Sequence, residues 1–202
     1  YTVADVIAGS GSNTSAGWSL FVVYEDPLAT AKNITVFDGF SAVQGTTTLD
    51  IPVSGFTTIP VGPVRAKIAF ASLEGDRELT NDRFRVNGTN MTIGTRPANN
   101  FFNSTINDIN GAFNARVPNS SNLLGYDAGL FNVPNPTNSL IANNATSATL
   151  SLVTTGDAYF YYFNAFAVEI KTPTLSVGVR GTDFVVNADD PNSSEYIALC
   201  AR

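Results

Sequence analysis

The stretch 17–40, GWSLFVVYEDPLATAKNITVFDGF, decides the fold class. Behind Trp18 comes a continuous apolar run, Leu20-Phe21-Val22-Val23-Tyr24. A run rich in β-branched and aromatic residues and bounded by turn formers predicts a strand buried on both faces. Glu25-Asp26-Pro27 ends it, because Pro27 has no N–H to donate to a ladder. Ile34-Thr35-Val36-Phe37 predicts a second strand. Asp38-Gly39 predicts a two-residue hairpin turn with Phe40 to Val43 returning, since both turn positions need positive φ.

Outward from this stretch the same grammar repeats. Residues 1–8 predict a short strand and 9–17 a Gly/Ser/Asn/Thr loop. Thr46 to Val53 alternates as a half-exposed strand does, and 54–63 is a connector with two prolines. Val64, Ala66, Ile68 and Phe70 fall on one face of the next strand, with Arg65, Lys67 and Ala69 on the other. Asn87-Gly88 marks a hairpin within 84–93. Residues 96–129 are Asn-rich and irregular, anchored by Phe101, Phe102, Ile106, Phe113, Leu123, Leu124 and Tyr126; a loop of that length is often functional. Ala148 to Val153 is a strand, and Ala158 to Ile170, the most aromatic segment, is the most buried one. After Pro173, Thr174 to Arg180 and Asp183 to Asn187 form a hairpin turning at Gly181, and Glu195 to Cys200 a last strand. Many short strands separated by Gly, Pro and Asn predict an all-β protein, a β-sandwich or jelly roll. The expected domains are 1–172, a β-sandwich, and 173–202, a C-terminal β extension.

Composition narrows the function. The 202 residues can bury a sizeable core. Only 14% are charged, well below an ordinary globular domain, and the net charge is −6. Nucleic acid demands clustered Lys and Arg, so it is not an expected partner. Anionic membrane surfaces are disfavoured for the same reason, and no apolar stretch reaches the length of a membrane span, so no membrane insertion is expected. The chain opens at Tyr1-Thr2-Val3 without Met and without a signal peptide, so an upstream segment removed earlier is expected.

Catalytic chemistry has little to work with. Without histidine there is no Ser-His-Asp triad, Cys-His pair or His-bearing zinc site. Lys32, Lys67 and Lys171 lie in no nucleophile motif, and neither G-x-S-x-G nor a phosphate-binding glycine pattern occurs. Paired carboxylates drawn from Glu25, Asp26, Asp38, Glu74 and Asp76 leave a glycan-active hydrolase as the weakest of three readings. Glu74, Asp76, Glu78 and Asp82 offer the hard oxygens calcium takes, but their spacing is not that of an EF-hand; a solvated acidic loop paired with Arg77 or Arg83 is the simpler reading. No enzyme, cofactor, catalytic residue or metal site is expected.

Three further features concern the surface. N-x-S/T sequons stand at Asn13, Asn33, Asn87, Asn90, Asn103, Asn119, Asn144 and Asn192, mostly in loops; in an archaeal or eukaryotic source they read as a glycoprotein, in an ordinary bacterium as idle sequence. Lys67 is the best candidate for a Lys–Asn or Lys–Asp isopeptide crosslink, which needs a buried lysine; a strand lysine pointing to water is the plainer reading. Cys200 has no internal disulfide partner and is either an inter-chain thiol or a small apolar residue.

At GWSLFVVYEDP (17–27), ITVFDGF (34–40), IPVSGF (51–56), EGDRELTND (74–82), RPANNFFNSTI (96–106) and NNATSATLSLVTTGDAYF (143–160) the chain resembles a functionally uncharacterised β-rich domain of large secreted surface proteins of bacteria and archaea. That domain often precedes conserved-repeat β-sandwich modules in adhesin-like chains. The resemblance runs in order from Tyr1 to about Ile170 and implies a secreted, non-catalytic role at the cell surface, with no catalytic residues to transfer. Family members have further strands before the YTVADV block, and long repeat modules where this chain has about thirty residues after Pro173. A sandwich lacking its first strands exposes unpaired edges, which invites a strand from a neighbour. The first expectation is therefore an extracellular structural subunit of a filament, pilus or adhesive layer, polymerising with copies of itself by donor-strand complementation. Either 1–8 or 174–200 would be the donor. The second is a monomeric module in cell adhesion that binds surface glycans or proteins through 96–129.

Overall fold

The computed structural model describes residues 2–5, 7, 9–11 and 14–172, and the backbone of 175–180 and 183–188. The chain divides into two compact units, Tyr1–Ile170 and Lys171–Arg202. The described residues contain no helix, and the all-β expectation holds. Among the described residues, therefore, no helix is long and apolar enough to cross a membrane.

The first unit holds β1 (Lys32–Ser54), β2 (Ala66–Leu73), β3 (Arg83–Val86), β4 (Thr89–Asn90), β5 (Ile106–Asp108), β6 (Gly111–Ala112), β7 (Tyr126–Asn132) and β8 (Ser147–Glu169). They form a single sheet in the order β4-β3-β8-β2-β7-β5-β6, with β1 on the other edge of β8. Pairing is antiparallel except between β5 and β7. The second unit holds β9 (Leu175–Arg180) and β10 (Asp183–Ala188), an antiparallel hairpin with Arg180 opposite Asp183, as the sequence predicts.

β8 organises the sheet. It is 23 residues long and pairs with β1 from Ser147 to Glu169. Its other edge serves two strands in turn, β3 at Leu150 to Val153 and β2 from Phe160 to Val168. The changeover falls at Thr154 to Asp157, where Gly156 has φ 127° and the Thr154 hydroxyl accepts from the Asp157 N–H at 3.0 Å. This bend curls the sheet, so that β3 faces β2 and β7 across the core. The rings of Phe70 (β2), Phe84 (β3), Phe101, Phe102, Phe131 (β7) and Tyr161 (β8) pack there with centroids 5.3 to 6.4 Å apart. Edge-to-face and tilted pairs of this kind exceed simple area burial in stability.

Several expectations are corrected. Leu20–Tyr24 is no buried strand: Trp18 to Tyr24 runs without ladder partners, and Leu20, Val22, Val23 and Tyr24 are 54 to 77% exposed. Within it, Phe21 and Ser19 make the contacts to the sheet. The outer face of β8 carries Phe160, Tyr162 and Phe163, and the segment lies on it, with Phe21 stacked on Phe163 and the Ser19 hydroxyl bonded to those of Tyr126 and Tyr162. Asp38-Gly39 makes no hairpin. Neither residue takes positive φ, and the pair sits at a register shift between Asp38 and Ser41, so β1 continues through Val43. The described residues of 1–8 are in no strand. Ala148–Val153 and Ala158–Ile170 are one strand with a bend. The Asn87-Gly88 hairpin holds, with φ of 46° and 81° joining β3 to β4. The 195–200 strand lies outside the described residues.

Candidate functional site

The long 96–129 loop is held by a buried charge. Arg96 is fully buried, and each guanidinium nitrogen is engaged. Nε donates to Asn107 Oδ1 at 2.6 Å, Nη1 to Asp127 Oδ1 at 2.7 Å and to the Phe101 carbonyl, and Nη2 to the carbonyls of Thr105 and Ala128. The guanidinium also lies over the rings of Phe70 and Phe101, at 5.0 and 5.6 Å from their centroids. Asp127, at the second position of β7, accepts further from the N–H groups of Ser104 and Thr105 at 3.0 and 3.1 Å. Burial pushes its carboxyl up, while Arg96 and those N–H groups oppose the rise. The stretch is not wholly irregular, since β5, β6 and the start of β7 lie within it; around Arg96 and Asp127 its backbone polar groups are satisfied by side chains rather than by ladders.

Asp82 anchors the same loop from the other side, accepting at Oδ1 from the N–H groups of Phe101 and Phe102, with Oδ2 unpartnered. Its pKa is pushed up to about 6, chiefly by burial, against the lowering effect of those two N–H groups. A carboxyl whose folded pKa lies above the unfolded value of about 3.9 favours folding fully only below the latter, and that contribution is lost as pH rises toward 6. The expected result is a protein about 3 kcal/mol less stable at pH 8 than at pH 3.5 on account of this group. Denaturant titrations in EDTA at the two pH values measure it, and Asp82→Asn should reduce the difference by about this amount, leaving what the other raised carboxyls, Asp157 among them, contribute.

Two surface features remain. The first is the outer edge of β1. Among the described residues β8 is its only ladder partner, over 23 residues. Ile34, Val36 and Phe40 are 42, 48 and 65% exposed on it. Pro52 fits the edge, where a missing N–H costs no bond. The Trp18–Tyr24 segment reaches the same part of the sheet, since Phe163 beneath Phe21 is the ladder partner of Asp38. The second feature is a cleft of about 400 Å³ in the 96–129 loop, bordered by Arg77, Asn100, Asn103, Arg116 and Asn119. Asn100 Oδ1 and Arg116 Nε, buried at its wall, have no hydrogen-bond partner.

Of the predicted surface residues, Lys67 is exposed on β2 between Asn132 and Ala167, without the burial that an isopeptide crosslink requires. Asn90, Asn119 and Asn144 are exposed. Asn87 is exposed, but its Nδ2 donates to the Leu140 carbonyl at 2.7 Å; Asn33 is half-buried. Asn103 is buried, its Nδ2 donating to Thr95 and its Oδ1 accepting from Thr105, so a glycan there is incompatible with this fold. Asn13, Asn192 and Cys200 lie outside the described residues. Of the acids weighed for a paired-carboxylate site, Glu25, Asp26 and Asp38 are exposed and apart from the rest, while Glu74 and Asp76 come together with Asp157. Arg96 and Asp127 escaped sequence reasoning altogether. No family model, curated protein or solved structure matches the chain.

Proposed function

We propose that this chain is an extracellular structural subunit of a cell-surface filament or adhesive layer, and that copies join by strand addition at the free edge of β1. The observation that carries the reading is a 23-residue strand with one ladder partner among the described residues. Such an edge presents a row of unpaired N–H and C=O groups, the template for another strand. From Lys32 to Asp38 it runs without a register shift, and apolar residues alternate outward there. The exposed Trp18–Tyr24 segment adds an apolar surface of the kind that marks interaction sites. β9–β10 supplies a donor: a two-stranded sheet is marginal by itself and gains most from a third strand. Low charge, the resemblance to surface proteins and the sequons support an exterior location and sandwich-like packing in the polymer.

A second reading, a monomeric binding module, is favoured by the cleft with its unpartnered Asn100 and Arg116 atoms, which suit a polar ligand such as a glycan.

Charging the edge separates the two. Ile34→Lys with Val36→Lys should abolish filaments seen by negative-stain imaging and leave a folded monomer, because both side chains are half in solvent and Lys blocks edge pairing. Filaments unchanged in the double variant would discard β1 as the joint. A wild-type chain that stays monomeric and binds glycans would replace the polymer by the second reading.

A further inference from the structure

The bend of β8 carries an arrangement that folding alone does not explain. Carboxylate oxygens of Glu74, Asp76 and Asp157 all lie within 4.8 Å of one another. Glu74 and Asp76 are on the loop leaving β2, and Asp157 is at the changeover of β8 from β3 to β2. No ion pair reaches any of the three among the described residues; Arg65 pairs with Glu169, Arg96 with Asp127, and nearby Arg77 turns to Ser121. Three like charges at this spacing repel, more so where water is excluded.

Asp157 supplies a second, independent sign. It is 2% exposed. Its Oδ1 accepts from the Ala158 N–H at 2.6 Å, but its Oδ2 is buried with no hydrogen-bond donor. A buried carboxylate oxygen without a donor is rare in a folded protein and calls for an ion, a water or a proton. The charges around Asp157 are all carboxylates, those of Asp82, Asp76 and Glu74, which donate nothing when ionised.

We infer that Glu74, Asp76 and Asp157 form a binding site for a hard divalent cation, with calcium the best fit. Calcium accepts six to eight oxygen ligands in irregular geometry, whereas magnesium demands a regular octahedron and keeps most of its water. Three carboxylates provide up to six of those oxygens. Glu74 and Asp76 also border a cleft of about 610 Å³ with Ser15, Ser104 and Asn122 on its wall, which gives waters room to complete the shell. The cation ties the β2–β3 connection to the bend that curls the sheet. This site is independent of how copies assemble, and it is read on the single chain.

The test is calorimetric titration of the full chain, stripped with EDTA, using CaCl2 and then MgCl2, with melting followed in parallel. Saturable calcium binding is expected in the range of extracellular modules, about 10⁻⁴ to 10⁻³ M, with melting raised by roughly 5 °C near 10 mM calcium and magnesium weaker. Asp157→Asn and Asp76→Asn should each weaken binding more than about tenfold, and the exposed Glu78→Gln, outside the cluster, should not. In EDTA Asp157→Asn should melt no lower than the wild type, because it removes repulsion. Should Asp157→Asn fail to fold, Asp76→Asn, an exposed loop variant, decides alone. No calcium heat and no shift in melting for the wild type, or unchanged binding in Asp76→Asn, would overturn the site and leave a proton on Asp157 as the explanation.

Discussion

Arg96→Met is expected to destabilise the protein by about 3 to 5 kcal/mol, the usual cost of removing one partner of a buried ion pair. The substitution keeps the volume and the apolar stem. What it removes is the donor set for Asp127, Asn107 and the carbonyls of Phe101, Thr105 and Ala128. Asp127 then remains fully buried beside no cation. At the size of this chain such a loss corresponds to a fall in melting temperature of roughly 10 °C or more. Asp127→Leu alone should cost a similar amount, because it leaves the guanidinium unpaired. Combining the two should cost clearly less than their sum, since the second change removes the charge that the first one orphans. Strict additivity in thermal melts of the four proteins would show that the pair is not the clamp of the 96–129 loop. The phenylalanine carbonyl and both ring contacts tie Arg96 to Phe70 and Phe101, so the loss should also loosen the aromatic core.

Gly75→Ala is the second large effect, about 3 kcal/mol or more, the upper end of overpacking. A Cβ at Gly75 would stand 1.8 Å from Asp127 Oδ2 and 2.6 Å from the Phe102 carbonyl oxygen. The carboxylate cannot swing away without breaking the Ser104 and Arg96 bonds, and the carbonyl is backbone. The glycine is therefore needed for close approach and not for an unusual φ. Gly39→Ala is the matched control: nothing lies within 4 Å of its Cβ position and its φ is not positive, so it should be neutral or slightly stabilising. Equilibrium unfolding of the two variants gives the comparison directly. Equal stabilities would mean that the loop retreats from Asp127 at little cost.

These two effects mark the boundary of what a single sequence discloses. Alternation at Val64, Ala66, Ile68 and Phe70 correctly gave the inward face of β2, because period two is a local property. Asn87-Gly88 was legible for the same reason: its φ values are imposed by two neighbouring residues. Asp38-Gly39 carried the same local signal and gave a bulge, because the long ladder to β8 outweighs a turn preference. The run at Leu20–Tyr24 shows the limit of reading hydrophobicity as burial in a ladder. Only Phe21 of the run stacks on the aromatic outer face of β8, while Leu20, Val22, Val23 and Tyr24 stay largely exposed, which no local pattern announces. Thr154-Thr155-Gly156-Asp157 separated two apparent strands that are one, since a bend and a turn use the same residues. Arg96 and Asp127, 31 positions apart in an Asn-rich stretch, had no pattern linking them. The acidic loop was visible, but its third member Asp157 comes from the bend of β8.

The edge of β1 that has no ladder partner among the described residues bears the proposed function, and amide hydrogen exchange tests it most directly. The measurement compares the monomeric chain with the assembled form that the proposal requires. In the monomer the outward N–H groups of Lys32 to Asp38 should exchange rapidly, while the inner amides of β8 stay protected. In the assembled form the outward amides should slow by orders of magnitude, as those of a central strand do. Protection of 32–38 that is the same in both forms, or filaments whose new protection falls elsewhere, would contradict strand addition at β1.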